Sequence, residues 1–358
     1  MRTTTRFRWL AALALWLGPL LAAHATHLLG GEITYAPVAS TTVGVPRYHV
    51  ITRLFRDPNS SADSPVITLY CNRGSCAATT AGNFTINVVR SQDSSISSLG
   101  CAGTFPRIYK VSLYETDVDL PTGQWTLSIT EANRAAGLIN MPGSVYNTLY
   151  VSTYLDNSLA AQDSSPRFLS TLLPYLCNNQ AQRYSFSAFD ADGDSLRYEF
   201  RLPEMSTSFS VPVVSGCGTP TSSTLSPHFM LNSATGALTT LPAPSIQQGI
   251  YVMAARVTEY RRINGSWQPI GYVTRDVTYV ATGSTNQNPE FTGLRLNGAA
   301  TTQPLTQLIR VQPGQTVALA LEAADPDAGQ ALRFESQAPG VIPGLNLQTT
   351  GATSALLT

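Results

Sequence analysis

Alternation of apolar and polar residues recurs in short stretches along this chain. In 184–188 and again in 196–200 every second residue is apolar. A period of two sends successive side chains to opposite faces of a strand, so each stretch predicts a half-buried β-strand. The turn between them carries Asp190, Asp192 and Asp194. Three like charges on one loop make this turn the first candidate for chemistry.

The first half of the chain contains seven segments rich in strand-forming residues and bounded by turn residues. They are Gly31–Ala36, Tyr48–Phe55, Val66–Tyr70, Phe84–Val89, Arg107–Tyr114, Trp125–Thr130 and Leu149–Tyr154. Seven such strands are typical of an immunoglobulin-like sandwich. Further on, Tyr251–Glu259 and Tyr272–Val280 predict a closing hairpin. The Asn264-Gly265 pair in its loop favours a primed turn, in which both residues have positive φ.

A second acidic segment, at 325–327, repeats the residue pattern of the first. Asp325 and Asp327 correspond to Asp190 and Asp192, and a Pro-x-Phe element precedes each pair, at 166–168 and 289–291. The segments resemble the acidic signature that follows the second strand of cadherin-like domains. Self-similar units in one chain indicate tandem domains. The predicted fold is all-β, with tandem immunoglobulin- or cadherin-like β-sandwich domains.

The sequence divides into four predicted segments. Residues 1–25 have three arginines, an apolar run and an Ala-His-Ala site, the pattern of a cleaved secretory signal peptide. Residues 26–157 form an N-terminal β-sandwich domain and 158–282 a cadherin-like one. Residues 283–358 form a linker and an incomplete third sandwich, which predicts that the chain is an N-terminal fragment. No segment after the leader predicts a membrane span, so we expect a secreted or outer-surface protein.

Charge and motif content argue against several functional classes. The whole chain has 22 basic and 22 acidic residues, and loss of three leader arginines leaves 22 − 3 = 19 basic ones, a net charge of −3. With Lys110 as its single lysine, the chain has no basic stretch that would bind nucleic acid or an anionic membrane. The common hydrolase, metalloprotease and phosphate-binding motifs are absent from the sequence. We therefore expect no catalytic activity.

Five cysteines fit an oxidising compartment. The predicted disulfides are Cys177–Cys217 and Cys71–Cys76. This pairing leaves one cysteine over, and the sequence does not fix the connectivity. The alternative is a zinc site formed by Cys71, Cys76 and Cys101 together with His49, although the spacing of these residues matches no common zinc motif.

The acidic loops predict either solvated turns or calcium sites. An EF-hand is excluded because, counting from Asp190, Gly193 falls at position 4 where that loop needs glycine at position 6. Similarity to cadherin-like linkers implies instead that calcium is held between domains. For the first junction it implies Asp190, Asp192 and Asp194 with Asp156 or Asp163. For the second it implies Asp325, Asp327, Asn286, Asn288 and Glu259.

Residues 27–280 resemble the N-terminal region of large secreted surface proteins of gliding Bacteroidetes, named for a gliding-motility-associated C-terminal domain. The blocks that carry the resemblance are 27–35, 133–140, 150–168, 177–196, and 257–260 followed by Arg275-Asp276. The resemblance implies export, type IX secretion and a role in adhesion or gliding. The family's Tyr-Arg-Asp-Cys pattern stands here as Phe55-Arg-Asp57 followed by Pro58, so one cysteine is absent.

The predicted function is a non-catalytic adhesin whose partner is an unknown surface, glycan or protein and whose domain junctions are braced by calcium. One alternative is a carbohydrate-binding accessory module of a secreted enzyme, in which Trp267 stacks on a sugar. The other is a structural spacer that binds no ligand.

Overall fold

A computed structural model of the chain describes residues 28–358 except 59, 61–63, 75–80, 99–100, 102–106, 178–179, 182, 207–216, 241–245, 285–286, 311, 313 and 328. The predicted leader therefore lies outside the described residues. Apart from two 3-10 turns, Ser144–Tyr146 and Ala338–Gly340, all regular structure in the described part is β. This confirms the predicted all-β class. No helix long and apolar enough to cross a bilayer occurs among the described residues.

All seven strands predicted before residue 157 are present, and each is longer than its predicted range. They are β1 Leu28–Val38, β2 Arg47–Arg56, β3 Val66–Arg73, β4 Phe84–Ser98, β5 Arg107–Asp119, β6 Gln124–Glu131 and β7 Leu149–Asp156. The next strands are mostly short: β8 Arg167–Phe168, β9 Tyr175–Cys177, β10 Arg183–Ser185, β11 Ala188–Phe189, β12 Ser195–Arg201, β13 Glu204–Ser206, β14 Gly218–Pro220, β15 Met230–Leu231 and β16 Ala237–Thr239. The last are β17 Gly249–Ile263, β18 Ser266–Thr282, β19 Glu290–Leu296, β20 Leu319–Ala324, β21 Leu347–Gly351 and β22 Ser354–Leu357.

The predicted closing hairpin is the longest antiparallel pair of the described residues. Strands β17 and β18 pair from Gly249–Ala281 to Ile263–Ser266. Only Asn264 and Gly265 connect them, with φ angles of 51° and 83°. Both values are positive, as a primed two-residue turn requires, so the predicted turn is confirmed.

Strand β18 closes the first seven strands into a ring of hydrogen-bonded neighbours. Their order is β1-β2-β5-β4-β3-β6-β7. While one edge of β18 pairs with β17, residues 271–273 pair with β7 and residues 276–277 pair with β1. Backbone hydrogen bonding therefore continues across the predicted boundary between 157 and 158.

Side-chain packing also continues across that boundary. One buried core, which includes Ile33 and Trp125, lies within the first seven strands. A second core combines Phe55 and Tyr109 of those strands with Val257 and other residues that follow position 158. The two predicted segments are thus joined by shared apolar burial, which is the dominant stabilising contribution in folding.

Two glycines in β1 allow its neighbours to approach closely, β18 at Gly30 and β2 at Gly31. A Cβ at Gly30 would lie 2.0 Å from the carbonyl oxygen of Asp276, and φ of Gly30 is +139°, a value that side-chain-bearing residues rarely adopt. A Cβ at Gly31 would lie 2.8 Å from a methyl carbon of Leu54. The Gly-Gly pair is required by this packing.

Buried ion pairs reinforce the same junction. Arg134 donates to Asp276 through both terminal nitrogens, at 2.9 and 2.8 Å, and both side chains are about 2% exposed. Arg275, which is fully buried, donates to Glu32 at 2.6 Å, and Arg53 donates to the other oxygen of Glu32 at 2.5 Å. Burial alone would raise the pKa of Glu32, but the two guanidinium groups more than offset it and lower the pKa.

The internal repeat predicted from the two acidic segments is visible in strand register. Phe168 of the first Pro-x-Phe element pairs with Ala188, two residues before Asp190. Phe291 of the second pairs with Ala323, which likewise lies two residues before an aspartate. Equal offsets in both pairs show that the two copies place their acidic loop at the same position relative to the Pro-x-Phe element.

The predicted disulfide connectivity is wrong. Cys177 bonds to Cys101, with a Cα–Cα distance of 5.7 Å, and Cys217 is also in a disulfide. Cys71 is a free thiol because β3 turns its side chain into the apolar core, where burial raises its pKa to about 12. Cys76 lies outside the described residues. The Cys101–Cys177 bond joins the two predicted segments covalently, a link that sequence spacing does not reveal.

Replacing Asp276 with asparagine should destabilise the chain strongly. The change removes the negative charge and leaves the buried Arg134 guanidinium without a counterion, which costs ~3–5 kcal/mol. Urea denaturation would measure the loss. Asp117→Asn is a matched control, because Asp117 pairs with Arg47 at the surface, where its side chain is 39% exposed, and should cost less than about 1 kcal/mol. Equal losses for the two variants would contradict the assigned role of Asp276.

Candidate metal centre

Three parts of the chain meet at one end of the β17–β18 hairpin: the connector 157–166, the acidic turn 190–194 and strand β1. The connector is held against β1 by backbone hydrogen bonds. Ser165 donates its N–H to the carbonyl oxygen of Tyr35 at 2.9 Å, and the N–H of Tyr35 donates to Oγ of Ser165 at 2.9 Å. Ser164 donates its N–H to Oδ2 of Asp192 at 2.7 Å. The acidic turn therefore clamps the connector directly.

The acidic turn is shaped by its first aspartate. Oδ1 of Asp190 accepts hydrogen bonds from the N–H groups of Asp192 and Asp194, both at 3.0 Å. Gly193 between them has φ +81°, which glycine adopts without steric cost. This Asx-type turn sends Asp192 toward the connector and Asp194 toward the hairpin.

Glu259 reaches the same place from the interior of the sheet. It continues the inward-facing row of Ala255 and Val257 on β17 and is 0% exposed. Its cross-strand neighbour is Gly271, and a Cβ there would lie 1.8 Å from Oε1 of Glu259. A bulge in β18 directly follows, because Glu259 pairs with Gly271 and Tyr260 pairs with Pro269, which leaves Ile270 as the extra residue. The glycine provides the space in which the carboxylate lies.

Asp163, Asp194 and Glu259 form a compact triad. One carboxylate oxygen from each lies within 4.8 Å of the others. The hydroxyl of Tyr35 donates to Glu259 at 2.8 Å and lies 3.3 Å from Asp163. Arg261 donates to Asp163 at 2.6 Å and to both oxygens of Asp194, at 2.9 and 2.6 Å. One guanidinium thus serves two of the three carboxylates.

The hydrogen bonds leave two acidic oxygens without a donor. Oε2 of Glu259 and Oδ2 of Asp190 are buried, and neither has a hydrogen-bond partner among the described residues. An unsatisfied buried oxygen costs free energy, most of all when the group is charged. The Glu259 carboxyl lies close to those of Asp163 and Asp194, so a proton or a bound cation at this point would satisfy it.

The pKa values reflect this surplus of acidic groups. Burial raises the pKa of Asp163 to about 7, with Arg261 opposing and the aspartates of the acidic turn adding to the rise. Burial and the facing Asp163 carboxyl raise the pKa of Glu259 well above its ordinary value. Burial also raises the pKa of Asp190. In the absence of a cation, the cluster therefore retains protons in the folded chain.

The structure brings together most of the residues predicted for the first junction, and it adds one predicted for the second. Asp163 and Asp194 come together with Glu259, while Asp190 shapes the acidic turn beside them and Asp192 holds Ser164 of the connector. Asp156 is elsewhere: its carboxylate accepts from the Ser158 N–H at 3.1 Å and from Nε2 of Gln124 at 3.0 Å. Asp156 stabilises the turn after β7.

The second acidic loop repeats the clamp but not the triad. Oδ1 of Asp325 accepts from the N–H of Asp327 at 2.8 Å, and Oδ2 of Asp327 accepts from the N–H of Gln287 at 2.6 Å. Asn288 donates to the carbonyl oxygen of Ala181. Asn286 lies outside the described residues. Among the described residues, no second group of three carboxylates comes together, and Glu259 is not at this junction.

Sequence reasoning did not identify Tyr35, Arg261 or Gly271 as parts of the site. Arg261 neutralises Asp163 and Asp194, which lie far from it in sequence, so its role appears only when the three segments are seen together. Gly271 offers no signal either, since the need for a missing Cβ appears only when the pairing register is known. Tyr35 belongs to a strand 224 residues away from Glu259 in sequence.

No protein-family model matches the chain, and no curated protein matches it. Among solved structures, the chain is similar to the human desmocollin-1 ectodomain, with 10% sequence identity and a TM-score of 0.19. The match covers 91% of this chain and 66% of that chain, so this chain spans just under two thirds of the neighbour's length.

Gly271→Ala should disrupt the triad. The new methyl group would overlap Oε1 of Glu259 and come within 2.7 Å of the Tyr35 hydroxyl, and overpacking of this kind costs ~1–3 kcal/mol. Thermal melting would measure the effect. Gly340→Ala is the matched control, because nothing lies within 4 Å of a Cβ at Gly340. A melting temperature for Gly271→Ala equal to that of the control would contradict the proposed packing.

Without a cation, Asp163 and Glu259 should make stability fall as pH rises. Both have raised pKa values in the folded chain, that of Asp163 to about 7, so the folded chain holds protons that the unfolded chain releases above about pH 4. Their stabilising contribution is complete below about pH 4 and is lost as pH rises through the folded pKa values.

Glu259→Gln should make this decline less steep, because the amide is neutral at every pH. Urea denaturation in chelator from about pH 4 to about pH 8 would show the change. Replacement of the exposed Glu290 by glutamine is the control and should leave the curve unchanged. Parallel curves for the wild type and Glu259→Gln would count against a protonated cluster.

Proposed function

We propose that this chain is an exported, non-catalytic adhesin in which calcium bound at the acidic triad locks the connector 157–166 onto the β17–β18 hairpin. The observation that carries the proposal is Oε2 of Glu259, a fully buried carboxylate oxygen that has no donor among the described residues and faces other acidic groups. A divalent cation supplies the charge that the protein itself does not provide at this point.

The donor set fits a hard cation that prefers oxygen. Calcium takes 6–8 oxygen ligands, chiefly carboxylates, carbonyls and water. Asp163, Asp194 and Glu259 would hold the ion, and Oδ2 of Asp190 is a further buried oxygen available to it. Sulfur and imidazole ligands, which zinc prefers, are absent from the triad. When bound, the ion supplies positive charge and requires ionised carboxylates, so it displaces the retained protons.

Calcium at this position would act as a brace. The triad draws one residue from the connector, one from the acidic turn and one from β17. Binding would make the attachment of these segments depend on the ion, and not only on Arg261 and the Ser164–Asp192 hydrogen bond. Since the connector lies between the predicted segments 26–157 and 158–282, the brace would stiffen the chain where it passes from one to the other.

Two observations support placement outside the cell. The Cys101–Cys177 disulfide is typical of an oxidising compartment. The sequence 1–25 has the pattern of a secretory leader. The sequence resemblance to surface proteins of gliding Bacteroidetes supports adhesion as the role.

Calcium should raise the melting temperature of the full chain at neutral pH. An ion that binds only the folded state stabilises it by about 2.7 kcal/mol at 100 times its dissociation constant. Glu259→Gln should abolish this response because it removes one anionic ligand. It should also melt higher than the wild type in chelator, because the amide is neutral without taking up a proton on folding and can donate a hydrogen bond.

Asp327→Asn is the matched control for the calcium response, because it alters the second acidic loop and leaves the triad intact. This variant should keep the calcium-dependent shift. The proposal fails if the wild type shows no shift at millimolar calcium, or if Glu259→Gln shifts as much as the wild type does.

A further inference from the structure

A shallow groove lies on the outer face of the sheet formed by β12, β17 and β18. Its volume is about 520 Å³, within the range of pockets that bind small molecules. Exposed residues of β12 line one side, and Tyr260 of β17 and Trp267 of β18 line the other. Tyr198 also lines the groove, although it is only 6% exposed and belongs to the buried core, whereas Trp267 is not part of that core.

The aromatic side of the groove is unusually exposed. Trp267 is 60% exposed, whereas Trp125, the other tryptophan in the described part of the chain, is 1% exposed. The cross-strand partner of Trp267 is Arg262, whose guanidinium donates to the carbonyl oxygen of Gly265. A large exposed ring beside a second aromatic residue gives the groove a flat apolar wall.

The remaining walls are polar and have spare hydrogen-bonding capacity. Arg197 makes no ion pair or hydrogen bond with any described residue, and Glu199 has only a loose contact of 3.7 Å with Arg201. Hydroxyl groups of Ser195, Ser233 and Thr258 complete the lining. The groove therefore offers donors, acceptors and hydroxyls around an apolar wall, with charges of both signs.

We propose that this groove binds a short stretch of a neutral saccharide. A pyranose ring has an apolar face of C–H groups that packs on an aromatic ring, and hydroxyl groups at its edge that pair with guanidinium, carboxylate and hydroxyl side chains. The balanced charges of Arg197 and Glu199 favour a neutral ligand over a polyanion. A folded protein partner would need a much larger complementary surface than this groove provides.

The saccharide site deepens the proposed function, on which it rests, because it names the class of ligand that the adhesin holds. It also lies next to the metal centre. Asp194 of the acidic turn directly precedes Ser195 of β12, and Glu259 directly precedes Tyr260 on β17, so two of the three triad residues are chain neighbours of residues that line the groove. Calcium that orders the acidic turn would therefore also hold the start of β12, which forms one wall of the groove.

Binding can be measured by tryptophan fluorescence and by affinity electrophoresis of the full chain in buffer that contains calcium. The probes are hexasaccharides of β-1,4-linked glucose, xylose and mannose for fluorescence, and the corresponding soluble polysaccharides in the gel. We expect at least one probe to cause a saturable fluorescence change and gel retardation. Trp267→Ala should remove the fluorescence change and weaken retardation by about tenfold or more, and Trp267→Phe should restore part of the retardation.

Tyr146→Ala is the control, because Tyr146 is 80% exposed and lies outside the groove. It should bind like the wild type. The inference is overturned if none of the three probes gives a saturable response, or if Trp267→Ala is retarded as strongly as Tyr146→Ala. Calcium-dependent melting of the same samples separates the two proposals. If calcium raises the melting temperature but no saccharide binds, the groove proposal alone is rejected. If a saccharide binds but calcium does not raise the melting temperature, the calcium proposal alone is rejected.

Discussion

The rest of the structure depends on two adjacent buried charges of opposite sign on β18. Arg275 reaches Glu32 of β1, and Asp276 holds Arg134 of the segment before β7. Each charge is costly to bury alone, and each is neutralised only if β18 lies in its observed register beside β1. A shift of one residue would send both side chains to the opposite faces of the sheet. The two ion pairs therefore specify how the hairpin joins the first seven strands.

The metal centre is the second place where the hairpin carries buried charge, and here the balance is different. At the β1 junction every carboxylate faces a guanidinium. At the triad, Arg261 is the one cationic side chain bound to the cluster, while Oε2 of Glu259 has no donor among the described residues. A fully neutralised pair is a permanent structural contact. An under-neutralised cluster remains sensitive to protons and cations, which is the physical basis of the proposed calcium brace.

The two acidic loops show that one turn can perform two different tasks. Both use a first aspartate to order the loop and a second to hold the connector, with equal spacing to the preceding Pro-x-Phe element. Only the first loop adds Asp194 and meets Glu259. The clamp is thus a property of the repeated motif, whereas the candidate cation site requires residues from outside it. The saccharide groove shares strands with this site, so ion binding and ligand contact are adjacent in the proposed adhesin.

The sequence by itself determined the elements. Strand-forming residues bounded by turn residues predicted all seven strands of the first segment, Asn264-Gly265 predicted the hairpin turn, and the repeated acidic motif predicted that two segments share one plan. These features follow from local backbone preferences and from side-chain alternation, which act over a few residues. Tertiary structure decided the rest: the Cys101–Cys177 bond, the closure of the first strands by β18, and the meeting of Asp163 with Glu259. Each of these depends on strand register between segments far apart in sequence, and register is set by burial and close approach across the whole fold.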